Sequence, residues 1–338
     1  YVGILLEYAH NERKFLNKVS TTKKTIIDKN KLNVGIIGAG NFTRASIIPN
    51  MKKTKKYHFR ALATTGGLST SQTISSTQFD YVTNDYKELL DDSLIDLIVV
   101  ATQHNTHAKF VIEALKKDKN VYCEKPLCLS IDELNQIEKS YQKSHGHLFV
   151  GLNRRHAPTT SRLKKELSDK NLPKVINIVV NAGKIPSDHW TQNEKVGGGR
   201  LMGEAIHFVD LAQYIDGTDI QKLVLTYLDN AALQTKDNAM INIKFKSGSI
   251  ANVLYTSIGN KMYPKELVIV FSAGNVYEVD NFTAFRKNKK KALNTLILKQ
   301  DKGFLEEYLD IYDVIANEKN NAFINHIFNN HRMLLENL

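Results

Sequence analysis

Nine residues constrain this chain more than any others: Val34-Gly35-Ile36-Ile37-Gly38-Ala39-Gly40-Asn41-Phe42. A short, mostly apolar run leads straight into Gly-x-Gly, and a segment with a hydrophobic helical face follows. That order predicts a buried strand turning sharply into the start of a helix. The glycines let the backbone turn and let a phosphate reach bare N–H groups at the positive end of the helix. A plain strand-to-helix turn would also use glycine, so the context carries the reading of a dinucleotide-binding turn. Thr43 stands where the third glycine or alanine of such a fingerprint would be.

Around this turn, residues 32–151 alternate strand and helix. Strands are expected at 33–38, 58–64, 95–101, 120–123 and 147–151, with helices at 42–53, 84–91, 105–117 and 130–144. The nearly unbroken apolar run Leu94-Ile95-Asp96-Leu97-Ile98-Val99-Val100-Ala101 is what a sheet covered on both faces requires. Ser130 with Glu133 forms a capping box for the last helix. The expectation is a doubly wound α/β unit with a parallel sheet.

From residue 152 to 338 the rhythm changes. A helix at 157–169 leads to a strand at 174–182, a loop holding Gly197-Gly198-Gly199 and a helix at 200–215. Strands at 221–228, 239–246, 249–256, 266–271 and 275–280 follow, then helices at 303–318 and 320–336. Short connections predict an α+β domain with an open, mainly antiparallel sheet. Arg286–Lys291 reads as a charged loop. Residues 1–31 read differently again: a strand at Tyr1–Tyr8, then a Lys/Asn/Thr-rich linker. They are expected to be the tail of another domain, or an extra edge strand of the one that follows.

Composition narrows the function. The net charge of +11 is spread over scattered lysines and two clusters, Lys52–Lys56 and Lys287–Lys291, with no reader motif or aromatic platform for nucleic acid. The excess suits an anionic cofactor or nucleotide-linked substrate. No apolar run approaches the ~20 residues that span a bilayer, so no membrane insertion is expected. Cys123 and Cys128 offer neither metal-ligand spacing nor a disulfide framework, which fits a cytoplasmic protein without a metal site.

Three stretches carry residues able to do chemistry. Cys123-Glu124-Lys125-Pro126 follows the strand at 120–123, where loops face the ligand crevice. A partly desolvated Lys125 there can exchange a proton with a reacting hydroxyl. In Gly203-Glu204-Ala205-Ile206-His207-Phe208-Val209-Asp210, helical spacing puts Glu204 and Asp210 one turn either side of His207. Those carboxylates are expected to fix its tautomer and raise its pKa, making a general base. In Ala101-Thr102-Gln103-His104-Asn105-Thr106-His107, polar groups line the crevice, or Asn105 or Thr106 caps the next helix. No acidic residue lies between Asn41 and Asp80 to hold an adenosine ribose. Thr64, Thr65 and the serines near them can serve a ribose or a phosphate, and Arg44 or Arg60 could add charge. The cofactor is therefore NAD or NADP.

Taken in order, Gly38–Phe42, Ala101-Thr102 with His107, Glu124-Lys125-Pro126, Gly151-Leu152-Asn153-Arg154-Arg155 and Gly197-Gly198-Gly199 before His207 resemble the Gfo/Idh/MocA oxidoreductases. The tract from Asn181 through His189-Trp190 to Phe208 is similar to a narrower branch, with an alcohol-dehydrogenase-like domain fused upstream and genes in surface-polysaccharide clusters. The resemblance implies a Rossmann domain and an α+β domain whose sheet forms homo-oligomer contacts. It implies hydride transfer at a sugar or nucleotide-sugar hydroxyl, with Lys125, His207 and Glu204 as catalytic residues. Gly38, Ala39, Gly40, Asn41, Phe42, Thr64, Thr65, Thr102, His107, Glu124 and Lys125 would bind the dinucleotide. Arg154, Arg155, His189, Trp190 and Asp210 would contact substrate. Where many members have Asp four residues before the histidine, this chain has Gly203. Redox-assisted elimination or glycoside cleavage with a recycled dinucleotide, and a non-catalytic dinucleotide-binding module, are the rival readings.

Overall fold

The computed structural model describes residues 18–20, 28–64, 79–167, 172–229, 236–288, 295–296 and 299–338. Tyr1–Tyr8 and Thr65 lie outside the described residues. The first sheet has the order β1-β4-β3-β2-β5-β6-β7. Its strands are β1 (Lys18–Ser20), β2 (Leu32–Ile37), β3 (Tyr57–Ala63), β4 (Tyr81–Thr83), β5 (Leu97–Val100), β6 (Asn120–Cys123) and β7 (Leu148–Val150). The six from β2 to β7 run parallel, and β1 adds antiparallel to β4. All four residues of β5 are fully buried, as its apolar run requires of a strand covered on both faces.

Two short strands depart from the sequence reading. Lys18–Ser20 lies where only linker is expected. It pairs with an edge that would otherwise leave a row of N–H and C=O groups open. Lys18 also reaches Glu88 at 3.0 Å and stacks over the Tyr81 ring. Tyr81–Thr83 is three residues long, too short to show a period. The Ser130 cap forms, its hydroxyl accepting from the Glu133 amide at 3.2 Å, but the Glu133 carboxylate reaches back to the Leu129 amide at 2.8 Å.

The second sheet has the order β15-β14-β13-β12-β8-β11-β10-β9. Its strands are β8 (Val175–Asn181), β9 (Ile220–Tyr227), β10 (Ala239–Phe245), β11 (Ile250–Thr256), β12 (Glu266–Ser272), β13 (Asn275–Asp280), β14 (Ala284–Lys287) and β15 (Thr295–Leu296). Among the described residues only β8 with β11 pairs parallel, so the sheet is mainly antiparallel. Arg286 and Lys287, read as loop, belong to β14. Arg286 bonds Glu278 and Asp280 on β13, a cross-strand charge pairing that favours extended structure.

The helix Ile206–Asp216 packs on one face of β8 and β11. The helix Phe304–Ala316 comes late in the chain yet packs on Ile48–Thr54 in the first unit. Tyr308, Ile311 and Val314 share a core with Val34 and Ile36, and Tyr57 Oη donates to the Tyr308 carbonyl at 2.5 Å. Residues 304–316 therefore return to the first unit by packing, a long-range choice that local pattern cannot show. That return fastens the two units together along the edge of the cleft between them.

Candidate active site

Four strand exits make the floor of this cleft, all at the carboxyl edge of the first sheet, where the strand order reverses between β2 and β5. Gly38 leaves β2 with φ of 105°, and its amide donates to the Ala63 carbonyl at 3.0 Å. A Cβ at Gly38 would lie 2.3 Å from the Ala101 carbonyl oxygen, so only glycine lets β2 and β5 emerge side by side. Gly40 is different: a Cβ there would meet nothing within 4 Å. Thr43 is buried and its hydroxyl donates to the Gly38 carbonyl at 3.0 Å, closing the turn by a side-chain bond. The helix begins at Asn41 and winds through a π-helical turn at Thr43–Ile47. Its first amides have no intrahelical partner, which suits the phosphates of a dinucleotide.

Phe42 borders the cleft and packs tilted against Phe304, ring centroids 6.0 Å apart. Ala39, Asn41 and Thr64 sit on the same edge without lining the cleft; Asn41 accepts from Arg44 at 2.8 Å. Arg60 is committed to Asp92 at 2.7 Å and Asp80 at 3.5 Å, so it is not free to meet a cofactor phosphate.

Lys125 and His207 both line this cleft, whose volume is about 660 Å³. Lys125 Nζ donates to the Gly203 carbonyl at 2.5 Å. Burial pushes the Lys125 ammonium down, with Glu124 and Glu204 working the other way. Glu124, beside it, accepts from Tyr122 Oη at 2.8 Å, and burial pushes its carboxyl up. His107 holds the loop from behind, its Nδ1 on the Pro126 carbonyl at 2.7 Å and Nε2 on the Thr102 carbonyl at 3.1 Å. Burial pushes the His107 pKa down, so the neutral ring donates to one of these two carbonyls and thereby positions the Glu-Lys-Pro loop at the cleft wall. Thr102 bonds Thr106 at 2.6 Å, and neither Asn105 nor Thr106 caps the helix His107–Leu115 through its side chain.

The expectation that carboxylates flank His207 needs correction. Glu204 sits in a π-helical turn, Leu201–Ala205, and its carboxylate is taken by Tyr255 at 2.5 Å, Lys265 at 2.8 Å and Arg200 at 2.8 Å. Burial acts to raise the Glu204 carboxyl, but Lys265, Tyr255 and Arg200 outweigh it and hold it well below the usual range. A group so firmly ionised does not exchange protons; Glu204 places cations instead. Asp210 pairs with Arg155 Nε at 3.0 Å and with Asn330 Nδ2 at 3.3 Å. Arg155 and Asp210 are 5% and 1% exposed and do not line the cleft, so they are not the substrate contacts expected of them. A buried guanidinium needs a buried carboxylate, and each satisfies the other.

His207 is left without a carboxylate. Its Nδ1 is buried and unpartnered among the described residues. Burial, then Arg154, Lys125, Lys302 and Lys265, push its pKa well below the ordinary value, so the ring is neutral. His189 and Trp190 line the cleft as expected, His189 bonded to Thr191 at 2.8 Å. Arg154 lines it too, its Nε and Nη2 on Glu266 at 3.0 and 2.9 Å.

Sequence reasoning gave no role to His104, Lys265 or Lys302, which also line the cleft. His104 lies in the stretch at 101–107; its Nδ1 meets the Gly197 carbonyl at 2.7 Å and its ring stands edge-on to Trp190 at 4.7 Å. Burial pushes its pKa down to about 3. The space that a Cβ at Gly203 would need is bordered by this ring at 3.2 Å. Lys265 and Lys302 carry no local signal; the chain brings them in from the start of β12 and from just before the helix Phe304–Ala316.

A parallel sheet with a glycine turn at its switch point, facing an amine and an imidazole across one cleft, defines a dinucleotide-dependent oxidoreductase. Residues 32–152 match the oxidoreductase family NAD-binding Rossmann fold and residues 171–270 its C-terminal alpha/beta domain: the chain belongs to the Gfo/Idh/MocA oxidoreductase family. It is 27% identical over 289 residues to the uncharacterized oxidoreductase YrbE of Bacillus subtilis, covering 82% of each chain. It is 26% identical to the myo-inositol 2-dehydrogenase of Thermotoga maritima, covering 68% of this chain and 69% of that one. Levoglucosan dehydrogenase, solved with NADH and levoglucosan, has the same fold with a TM-score of 0.78 at 17% identity, covering 90% of this chain and 95% of the other.

Proposed function

We propose that this chain moves a hydride between NAD or NADP and a hydroxyl-bearing carbon of a sugar or nucleotide sugar, in surface polysaccharide biosynthesis. The observation that carries the reading is the convergence of Lys125 and His207 on one cleft, with Phe42, the last residue of the glycine turn, on its border. Relatives named for inositol oxidation, and a structural neighbour solved with NADH, support it. Gly38 to Phe42 would hold the diphosphate, Thr102 and Glu124-Lys125 the nicotinamide end, and Thr64 and Thr65 the adenosine end. When bound, the dinucleotide supplies the hydride acceptor or donor; everything else falls to the chain.

In the oxidation direction, Lys125 takes the hydroxyl proton. A lysine pushed down from its usual range keeps a neutral fraction nearer working pH, as a general base needs. The bond to the Gly203 carbonyl holds its nitrogen at the cleft wall. His207, neutral among cations, orients the same hydroxyl by a hydrogen bond. Arg154, His189 and Trp190 contact the rest of the sugar. The two cysteines are buried and free, as in a reducing cytoplasm. The outer face of the second sheet exposes Val175, Val224, Met240, Ile250 and Phe271, a surface for a homo-oligomer contact.

The test is Lys125→Ala. Its kcat should fall by about 100-fold or more, far more than NADH affinity falls. Equal loss of both, or loss of neither, contradicts the assignment. Reduced cofactor should accumulate with turnover; if it never does, hydride is returned to the substrate.

A further inference from the structure

Beyond His207, four cationic side chains from four separate stretches border the cleft: Arg154, Arg200, Lys265 and Lys302. Two carboxylates hold them. Glu266 accepts from Arg154 at 3.0 and 2.9 Å and from Lys302 at 2.7 Å. Glu204 accepts from Lys265 and Arg200, both at 2.8 Å. Lys125 and Glu124 offset each other, burial pushing both toward their neutral forms, and Asp237 stands 3.8 Å from Arg200, which leaves four cations against three carboxylates. Positive charge exceeds negative in a partly buried place, which is costly unless a ligand supplies the balance.

The donors needed are present. An ammonium has three N–H groups, and among the described residues the Lys265 and Lys302 side chains make one hydrogen bond each, to Glu204 and Glu266. Arg154 spends Nε and Nη2 on Glu266, and its Nη1 makes only a long bond of 3.3 Å to Asn153. Lys265 is 42% exposed at its side chain, open to an entering anion. The Gly-x-Gly turn that would take the cofactor's diphosphate is built by another part of the fold, so it does not account for this second excess of charge.

We propose that this end of the cleft binds an anionic substituent on the sugar, a carboxylate or a phosphate, through Lys265, Lys302 and Arg154. The inference rests on reading the cleft as a sugar site. The anion anchors one end of the substrate and leaves a hydroxyl at Lys125 and His207.

Binding without turnover tests it, by calorimetry with D-glucuronate, D-galacturonate, glucose 6-phosphate and D-glucose, alongside an NADH fluorescence titration. At least one acidic sugar should bind about tenfold or more tighter than glucose. Which acid wins distinguishes carboxylate from phosphate. In Lys265→Met and Lys302→Met the preference should fall to about threefold or less, with NADH affinity kept within about twofold. Should Lys302→Met fail to fold, the more exposed Lys265→Met decides. Glucose binding as well as every acid, or a preference surviving in the folded variants, overturns the proposal. If NADH binds and no acid is preferred, the substrate class fails and the oxidoreductase reading stands. If NADH does not bind but acids are preferred, the oxidoreductase reading fails and the anion site stands.

Discussion

Adding one methyl group at Gly38 and, separately, at Gly40 should break two different things. At Gly38 the new Cβ would lie 2.3 Å from the Ala101 oxygen and 2.8 Å from its carbonyl carbon, at a φ of 105°. Left-handed backbone costs a non-glycine residue about 1–2 kcal/mol. Forcing the β5 exit back adds about 1–3 kcal/mol of overpacking. Gly38→Ala should therefore lose roughly 2–5 kcal/mol, or about 3–7 °C in Tm for a chain of this size. At Gly40 the Cβ enters open space and the φ lies outside the left-handed region. Gly40→Ala should keep its Tm or gain slightly, by up to about 1 kcal/mol. That open space is where a diphosphate would rest, so NADH affinity should fall by about tenfold, or 1.4 kcal/mol. Differential scanning fluorimetry and NADH fluorescence titration read the two effects separately. If Gly40→Ala binds NADH like the parent, the diphosphate does not lie on this turn. A Gly38→Ala protein with unchanged Tm would refute the close-approach argument.

Other consequences follow from groups away from the turn. Arg155→Met or Asp210→Leu alone should cost about 3–5 kcal/mol in urea unfolding, and the double variant far less, because each single change strands a buried charge. Sugar affinity should not move in variants that remain folded; selective loss of it would return this pair to the substrate site. Glu307 is buried with both carboxyl oxygens unpartnered among the described residues, and burial pushes its pKa well up, Glu124 adding to the effect. Folded Glu307 thus keeps its proton where the unfolded chain has released it, so stability declines as pH rises above the ordinary carboxylate pKa. Glu307→Gln should raise stability at pH 8 by about 1–3 kcal/mol and flatten the Tm profile between about pH 5 and 9; an unchanged profile contradicts this. Cys123 and Cys128 are buried with thiols pushed up by that burial, so a thiol reagent should label neither in the native protein and both in denaturant.

Much of this was legible before any coordinates. The β2 turn, the helix cap at Ser130 and the mainly antiparallel second sheet follow from local rules: glycine before a helix, a hydroxyl three residues before glutamate, short turns between alternating strands. Lys125 and His207 were legible as residues of the cleft because each lies beside a structural signal. The Glu204, His207 and Asp210 spacing misled for a physical reason. Helical periodicity tells which residues share a face, not which partners lie opposite, and here Lys265 and Arg155 claimed the carboxylates first.

What the amino-acid sequence determined, then, is everything fixed by neighbours along the chain: the strand-turn-helix that opens the fold, the alternation that makes a parallel sheet, and the lysine at the exit of β6. What only the tertiary structure decided is the electrostatic state of the site. Arg154, Arg200, Lys265 and Lys302 come from distant stretches: burial with Arg154, Lys302 and Lys265 pushes the His207 pKa well down, and against burial Lys265, Tyr255 and Arg200 hold the Glu204 carboxyl well below its usual range. Charge acts through space and burial rather than along the chain, so the protonation of these groups is settled only when the cleft is assembled.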